Sequence, residues 1–544
     1  MEMRSVEIEE TNHVGSKNAK EKTTFQHIKT YLKEYCDVSS IQGLSYLTKD
    51  DNSLFERCWW TVVFLCCLSG CTYMIYEVCK KWVETPVLVS LATKDTPIHK
   101  VPFPAVTICP ESKISRSCVN YSKVLRLRKA GRGDEVSPLE NEYFDNMALL
   151  CRASNYGNSS DNDPLDDYSD FLDKCKSVTL ENSHCKFGEK IMPCDKLLQP
   201  IITDEGLCYT FNMFDVRDIY SDLNRMKYFS SNVPPANWDV DDGYPDDVPT
   251  SRDYPVRVLG SGNKNSLVVV LLTKKTNVYY SCRDFSLQGM RVTLHMPARI
   301  PRPNQVFFPV GLNELVYAQV TPTLMGTTPK IRDYGPHKRN CFFGKERKLR
   351  YFKLYTQSNC NLECWTNYTI QECGCVHFYM PRDARTSICP ISKRSCLQTA
   401  AETYAVSDFP QQYHQGKQSK GNLTADCDCL PICSDLNYNA ETSRGKWNWD
   451  DPNGANVGDL KKYFVDHYAS AVKINFKSTF FLPTEKSELY GIVDFLSNTG
   501  GILGLFTGFS LVSLVEIIYF MSIKLIANYK KYGYWAGRRD LIDN

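Results

Sequence analysis

Two stretches of the chain show no alternation of polar and apolar positions. Cys58–Tyr76 (CWWTVVFLCCLSGCTYMIY) runs nineteen residues without a charge, and Gly500–Ile526 is broken only by Glu516 and Lys524. Each meets the roughly 20 residues that a helix needs to cross a ~30 Å hydrocarbon core. Trp59 and Trp60 suit an interfacial belt, so membrane spans fit better than buried core helices. The segment ahead of the first span is polar, and that span is expected to act as its own insertion signal.

Between the spans the period changes. Ser266–Leu272, Met290–Met296 and Val472–Phe476 alternate with period two and read as strands, with Lys473, Asn475 and Lys477 on the opposite face. Asn359–Thr369 reads as a helix that places Cys360 and Cys364 on one face. Two acidic stretches, Asp161–Asp170 and Asp239–Asp247, read as solvated loops in preference to Ca²⁺ sites. Near the N-terminus, Tyr31–Leu47 is the one patch that looks ordered. The resulting division is a charged segment 1–57, a span 58–79, a middle domain 80–490, a second span with its approach 491–526, and a tail 527–544.

Composition sharpens the topology. The 544 residues are 42% apolar with a net charge of +2, which gives no reason to expect a nucleic-acid partner. Of 24 cysteines, Cys36, Cys58, Cys66, Cys67, Cys71 and Cys79 precede the middle domain, and the other 18 lie inside it. All four Asn-X-Ser/Thr sequons, at Asn120, Asn158, Asn367 and Asn422, lie there too. Disulfides and glycans are lumenal chemistry, so the middle is expected outside the cell and both termini in the cytoplasm. Lys530, Lys531, Arg538 and Arg539 in the tail agree with positive-inside bias; Lys80 and Lys81 run against it. Cys373-Gly-Cys375-Val-His377 and the Cys427–Cys433 cluster resemble zinc ligand spacings. An even count in an oxidising compartment favours disulfides instead, without fixing their connectivity. No metal or cofactor is expected. No nucleophile elbow, phosphate loop or metal-binding helix points to an enzyme.

The second span is unusual for a lipid-facing helix. It contains Gly500, Gly501, Gly504 and Gly508, then Ser510 and Ser513. Gly504 and Gly508 match the Gly-x-x-x-Gly packing pattern, but Glu516 inside the span points to a polar pathway. Glycines let a helix open so that carbonyls replace ion hydration, and acidic residues attract cations. Non-helical backbone at that depth is tolerable only beside a cavity. One helix cannot enclose a pore, so an oligomer is required.

Four motifs now carry a resemblance. They are Phe103-Pro104-Ala105-Val106-Thr107-Ile108-Cys109, Gly206-Leu207-Cys208-Tyr209-Thr210-Phe211-Asn212, the cysteine pattern of 341–433, and Gly504-Leu505-Phe506-Thr507-Gly508-Phe509-Ser510 through Glu516. Over about residues 30–530 the chain resembles the degenerin/epithelial sodium channel/acid-sensing ion channel superfamily, and most closely its insect pickpocket branch. The resemblance implies an α+β membrane protein of two transmembrane helices and a large disulfide-rich extracellular domain, with palm and ball strands and a helical finger, thumb and knuckle. It also implies a homo- or heterotrimer with related subunits in the plasma membrane, permeant to Na⁺ and blocked by amiloride.

The resemblance implies roles as well. Gly508, Phe509 and Ser510 correspond to the selectivity filter, Ser497 to the site where bulky replacements hold relatives open, Gly501 to a position linked to amiloride block, and Glu516 to a pore carboxylate. Gly504 belongs to the same pore stretch. Gln42-Gly43 stands where relatives carry a His-Gly pair that influences gating and permeation. The implied disulfides are Cys109–Cys208, Cys185–Cys194, Cys341–Cys433, Cys360–Cys429, Cys364–Cys427, Cys373–Cys396 and Cys375–Cys389. Cys118, Cys151, Cys175 and Cys282 keep three possible connectivities. The tail has no Pro-Pro-x-Tyr, and scattered histidines and acidic loops make no proton sensor. The competing readings are an ATP-gated two-span channel, which lacks the Gly-X-Ser and Phe-Pro-Ala-Val-Thr-Ile-Cys motifs, a non-conducting accessory subunit, and a two-pass receptor. The stimulus that opens the channel is not written in these motifs.

Overall fold

A computed structural model describes residues 24–49, 52–84, 87–151, 168–181, 183–225, 233–245, 253–278, 287–407, 427–449, 465–489, 491–533 and 535. The chain divides into two compact units, residues 87–487 and the terminal segments 1–86 with 488–544.

The middle unit is built on two main sheets. Five strands lie in the order Phe308–Val310, Met290–His295, Ala105–Pro110, Gly206–Phe211 and Gln199–Thr203. The two motifs at 103–109 and 206–212 are thus neighbours in one sheet. They pair antiparallel with Val106 opposite Phe211 and Ile108 opposite Tyr209, every residue of both strands is buried, and Cys109–Cys208 joins them. An eight-stranded mixed sheet runs Val87–Leu91, Thr484–Glu488, Glu314–Thr327, His467–Phe476, Leu267–Lys274, His184–Phe187 and Lys190–Pro193, with Asp435–Lys446 beside Glu314–Thr327. The three stretches of period-two alternation fall in strands of these sheets. One departure is Asn475, expected on the polar face: it is buried, and its side-chain amide donates to the Phe476 carbonyl.

A charged cluster is buried at the five-stranded sheet. Arg291 donates to Glu111 at 2.5 Å and lies 3.4 Å from Glu205, and Lys113 pairs with Glu205 at 2.8 Å. Two cations thus balance two carboxylates in a largely buried site. The guanidinium also lies over the Phe307 ring.

Helices Tyr121–Lys129, Pro138–Ala148 and Tyr168–Lys174 share a second core around Tyr121, Phe144, Met147 and Phe171. Cys118–Cys175 closes that group, which selects one of the three open connectivities. Cys151 is also cross-linked, and Cys282 lies outside the described residues. Helix Gln357–Cys373 starts on the Thr356 side-chain cap and ends on Gly374 in the left-handed region. Its Cys360 and Cys364 reach Cys429 and Cys427. Cys185–Cys194, Cys341–Cys433, Cys373–Cys396 and Cys375–Cys389 are joined as well, so all seven implied pairs are present.

Of the acidic stretches, Asp161–Asp167 lies outside the described residues, and Asp170 sits on a helix paired with Lys174. Asp239–Gly243 is a tight turn, not a free loop: Asp239 pairs with Lys345, Asp242 with Arg332, and Asp241 accepts from the Gly344 amide. Asn120 caps a helix and Asn367 is exposed on one; Asn158 and Asn422 lie outside the described residues.

The terminal unit is helical: Thr24–Val38, Leu44–Thr48, the long Leu54–Glu84, then Ile492–Thr507, Leu511–Ile518 and, after a π turn at Tyr519–Ile523, Lys524–Tyr532. Leu54–Glu84 and Leu511–Tyr532 are long and apolar enough to cross a membrane.

Candidate ion pathway

The pathway residues are set by how one apolar helix stops and the next starts. Ile492–Thr507 begins at Gly491, whose amide donates to the Asp494 carboxylate at 3.2 Å. It then runs unbroken through Gly500, Gly501 and Gly504, so these glycines do not open the helix as the sequence reading expected. A run of intrahelical bonds in an apolar segment outweighs their weaker propensity. The break comes at Gly508, in the left-handed region at φ 66°, where its amide caps the Gly504 carbonyl at 3.0 Å.

Two residues later Ser510 starts the next helix. Its Oγ accepts from the Ser513 amide (3.3 Å), and the Ser513 Oγ accepts from the Ser510 amide (3.1 Å). This reciprocal box confines the non-helical backbone to Gly508-Phe509-Ser510.

The helix Ile492–Thr507 has two differing faces. Phe495 lies 5.0 Å from the Trp82 ring, and the Phe506 ring meets Gly70, where a Cβ would sit 3.0 Å from it. The first span therefore packs on this side. At ~100° per residue, Ser497, Gly501, Gly504 and Gly508 fall on the opposite side as one stripe of small residues. Ser497, Gly501 and Gly504 are exposed in the single chain.

The N-terminal patch doubles back onto this break. The Gln42 amide donates to the Thr507 carbonyl at 3.0 Å, satisfying a group that the helix end leaves free. Gly43 sits at φ 98°, and a Cβ there would meet Phe64 at 3.2 Å. Below the break, the Ser40 amide and hydroxyl both donate to the Glu516 carboxylate, at 3.1 and 2.8 Å, and Ser40 Oγ lies 2.6 Å from Ser513 Oγ. Lys524, the second charge in the apolar stretch, pairs with Glu34 at 2.5 Å and covers the Phe520 ring at 4.2 Å. The Tyr31 hydroxyl donates to the Phe520 carbonyl at 2.6 Å. Sequence reasoning singled out Gln42, Gly43 and Glu516 but missed Ser40 as a partner. The Ser510-x-x-Ser513 spacing was the legible sign of the helix start.

Residues 35–520 match the amiloride-sensitive sodium channel family, and the chain belongs to it. Pickpocket protein 28 of Drosophila melanogaster is 28% identical over 91% of this chain and 79% of its own length. Sodium channel protein Nach of the same organism is 23% identical over 93% and 89%. Acid-sensing ion channel 1A of Danio rerio is 21% identical over 89% and 86%. The chain is a cation channel subunit of the pickpocket branch, and its family is one of plasma-membrane ion channels, not enzymes.

Proposed function

We propose that this subunit lines the pore of a trimeric, amiloride-sensitive, Na⁺-selective channel, with both termini in the cytoplasm and gating through the middle domain. The observation that carries the reading is the confinement of non-helical backbone to Gly508-Phe509-Ser510 between two apolar helices. The Ser510 carbonyl accepts the Leu514 amide at 3.2 Å, which leaves those of Gly508 and Phe509 outside the helix pattern. Non-helical backbone at that depth needs a cavity beside it, and a ring of carbonyls replaces the hydration shell of a small cation. A single chain supplies one part of such a ring, so partner subunits complete it, with the small-residue stripe Ser497, Gly501, Gly504 and Gly508 turned towards them. In this arrangement Gly501 stands at the mouth where amiloride blocks, and Ser497 at the point where bulk holds the pathway open. Na⁺ is the permeant ion, and the lipid bilayer surrounds the first span.

The test is expression in oocytes, alone and with related subunits, recording reversal potentials in Na⁺ and K⁺ with and without amiloride. A Na⁺-selective, amiloride-blocked current is expected. A current supplied only by a partner, and unchanged by substitutions at Gly508 and Ser510, would instead make this chain an accessory subunit.

A further inference from the structure

Four side chains form one hydrogen-bonded line from the helix break to the acidic residue below it. Ser510 Oγ lies 3.2 Å from Ser513 Oγ, Ser513 Oγ lies 2.6 Å from Ser40 Oγ, and Ser40 Oγ lies 2.8 Å from Glu516. Three of these residues belong to the second span; Ser40 comes from the other end of the chain and completes the line.

We infer that Ser40 is a positioning residue of the ion pathway, one that orients the Ser510 hydroxyl through Ser513. The inference rests on the channel reading above. A carboxylate only accepts, and each serine hydroxyl has one hydrogen. Ser40 gives its hydrogen to Glu516, so Ser513 must give its own to Ser40. Ser513 then accepts from the Ser510 hydroxyl. Every hydrogen in the line points towards Glu516.

The consequence falls on Ser510. Its hydrogen is drawn into the protein, and one lone pair takes the Ser513 amide, which leaves an oxygen acceptor to face a cation. Such lines polarise one another and act as a unit. Ser513 is fully buried, so without Ser40 its hydroxyl has Ser510 as its remaining partner in the line. The Ser513 hydrogen then turns to Ser510, and the Ser510 hydrogen turns into the pathway, where it repels cations. Glu516 in this account polarises the line, with Ser40 holding its carboxylate from two donors.

The experiment measures the Na⁺/K⁺ permeability ratio of surface-expressed Ser40→Ala, Ser40→Thr, Ser513→Ala and the Ser40→Ala/Ser513→Ala double variant. Ser40→Ala should lower the ratio by about tenfold, the scale of one lost hydrogen bond to a charged group. Ser40→Thr, which keeps the hydroxyl, should restore it, and the double variant should behave as Ser513→Ala alone. A Ser40→Ala ratio within about twofold of wild type, or additive effects in the double variant, overturns the inference. A second readout needs no current. Under oxidant, Ser40→Cys/Ser513→Cys should yield a 40–513 linked peptide by mass spectrometry of a non-reduced digest, absent from either single variant. Failure of that cross-link in a surface-expressed chain also overturns it. A wild type that carries no current with any partner defeats the channel reading and this inference with it, whereas a conducting wild type with an unmoved Ser40→Ala ratio defeats this inference alone.

Discussion

Gln42 lies directly against Gly508. A Cβ placed on Gly508 would come 2.9 Å from Gln42 Cγ and 3.1 Å from Cδ, and Gly508 also holds φ at 66°. Two independent constraints, sterics and backbone conformation, therefore require glycine at the helix break. Gln42, which stands where the resemblance implies a histidine, is thus in contact with a position proposed for the filter.

Gly508→Ala is accordingly expected to abolish or degrade selective conduction. The left-handed backbone alone costs a non-glycine residue roughly 1–2 kcal/mol, and the clash adds to it. Gln42→Ala removes both clashing atoms. Gly508→Ala/Gln42→Ala should recover part of the current that Gly508→Ala loses, as read by whole-cell recording normalised to surface protein. No recovery would mean that backbone strain alone sets the effect.

Ser497→Cys places a thiol on the exposed small-residue stripe, on the side of the helix away from the first span. A bulky cationic thiol reagent should increase or lock open the current, with reagent-treated wild type as the control for native Cys36, Cys58, Cys66, Cys67, Cys71 and Cys79. An unchanged current in a cell that conducts through this subunit would remove Ser497 from the gate.

Arg291→Ala should disable folding more than conduction. It removes the cation that pairs with Glu111 and lies 3.4 Å from Glu205, in a site where Glu205 is 1% and Glu111 3% exposed at the side chain. Stranding a buried charge typically costs about 3–5 kcal/mol. The expected result is loss of surface protein in a biotinylation assay. Full surface expression would show that the carboxylates take up protons or water at little cost.

Much of this was legible in sequence, and the reasons differ by element. The spans, strands and the helix carrying Cys360 and Cys364 follow from local period and length. The exact stop of the helix Ile492–Thr507 was not legible, because Gly500, Gly501, Gly504 and Gly508 look alike in sequence. Only the last one has a tertiary neighbour, Gln42, and a following Ser510–Ser513 box to stabilise a break. The Ser40–Glu516 contact spans 476 positions and leaves no local pattern. Nor did the sequence show that the Asp239–Gly243 turn would be neutralised by Lys345 and Arg332, which come from a distant segment.

Acid should weaken the middle unit through two histidines. Burial and the nearby Arg299 push His295 below its usual 6.5 to about 4; burial, Arg394 and Arg302 do the same to His377. Both rings stay neutral in the folded state, whereas the unfolded chain takes up protons from about pH 6.5 downwards. The unfolded state then binds more protons, so stability falls as pH drops. The loss begins near pH 6.5 and is complete near pH 4, at up to about 3 kcal/mol for each ring. Thermal melting of the purified protein between pH 7.5 and 4 should show a falling melting temperature over that window, and His295→Gln should flatten the slope. His295 Nε2 lies 2.8 Å from the Thr107 hydroxyl and Nδ1 lies 3.0 Å from the Met296 carbonyl, so the neutral ring already has partners on both nitrogens. A melting temperature flat from pH 7 to 4.5 in wild type would show that one or both rings gain a proton in the fold at little cost.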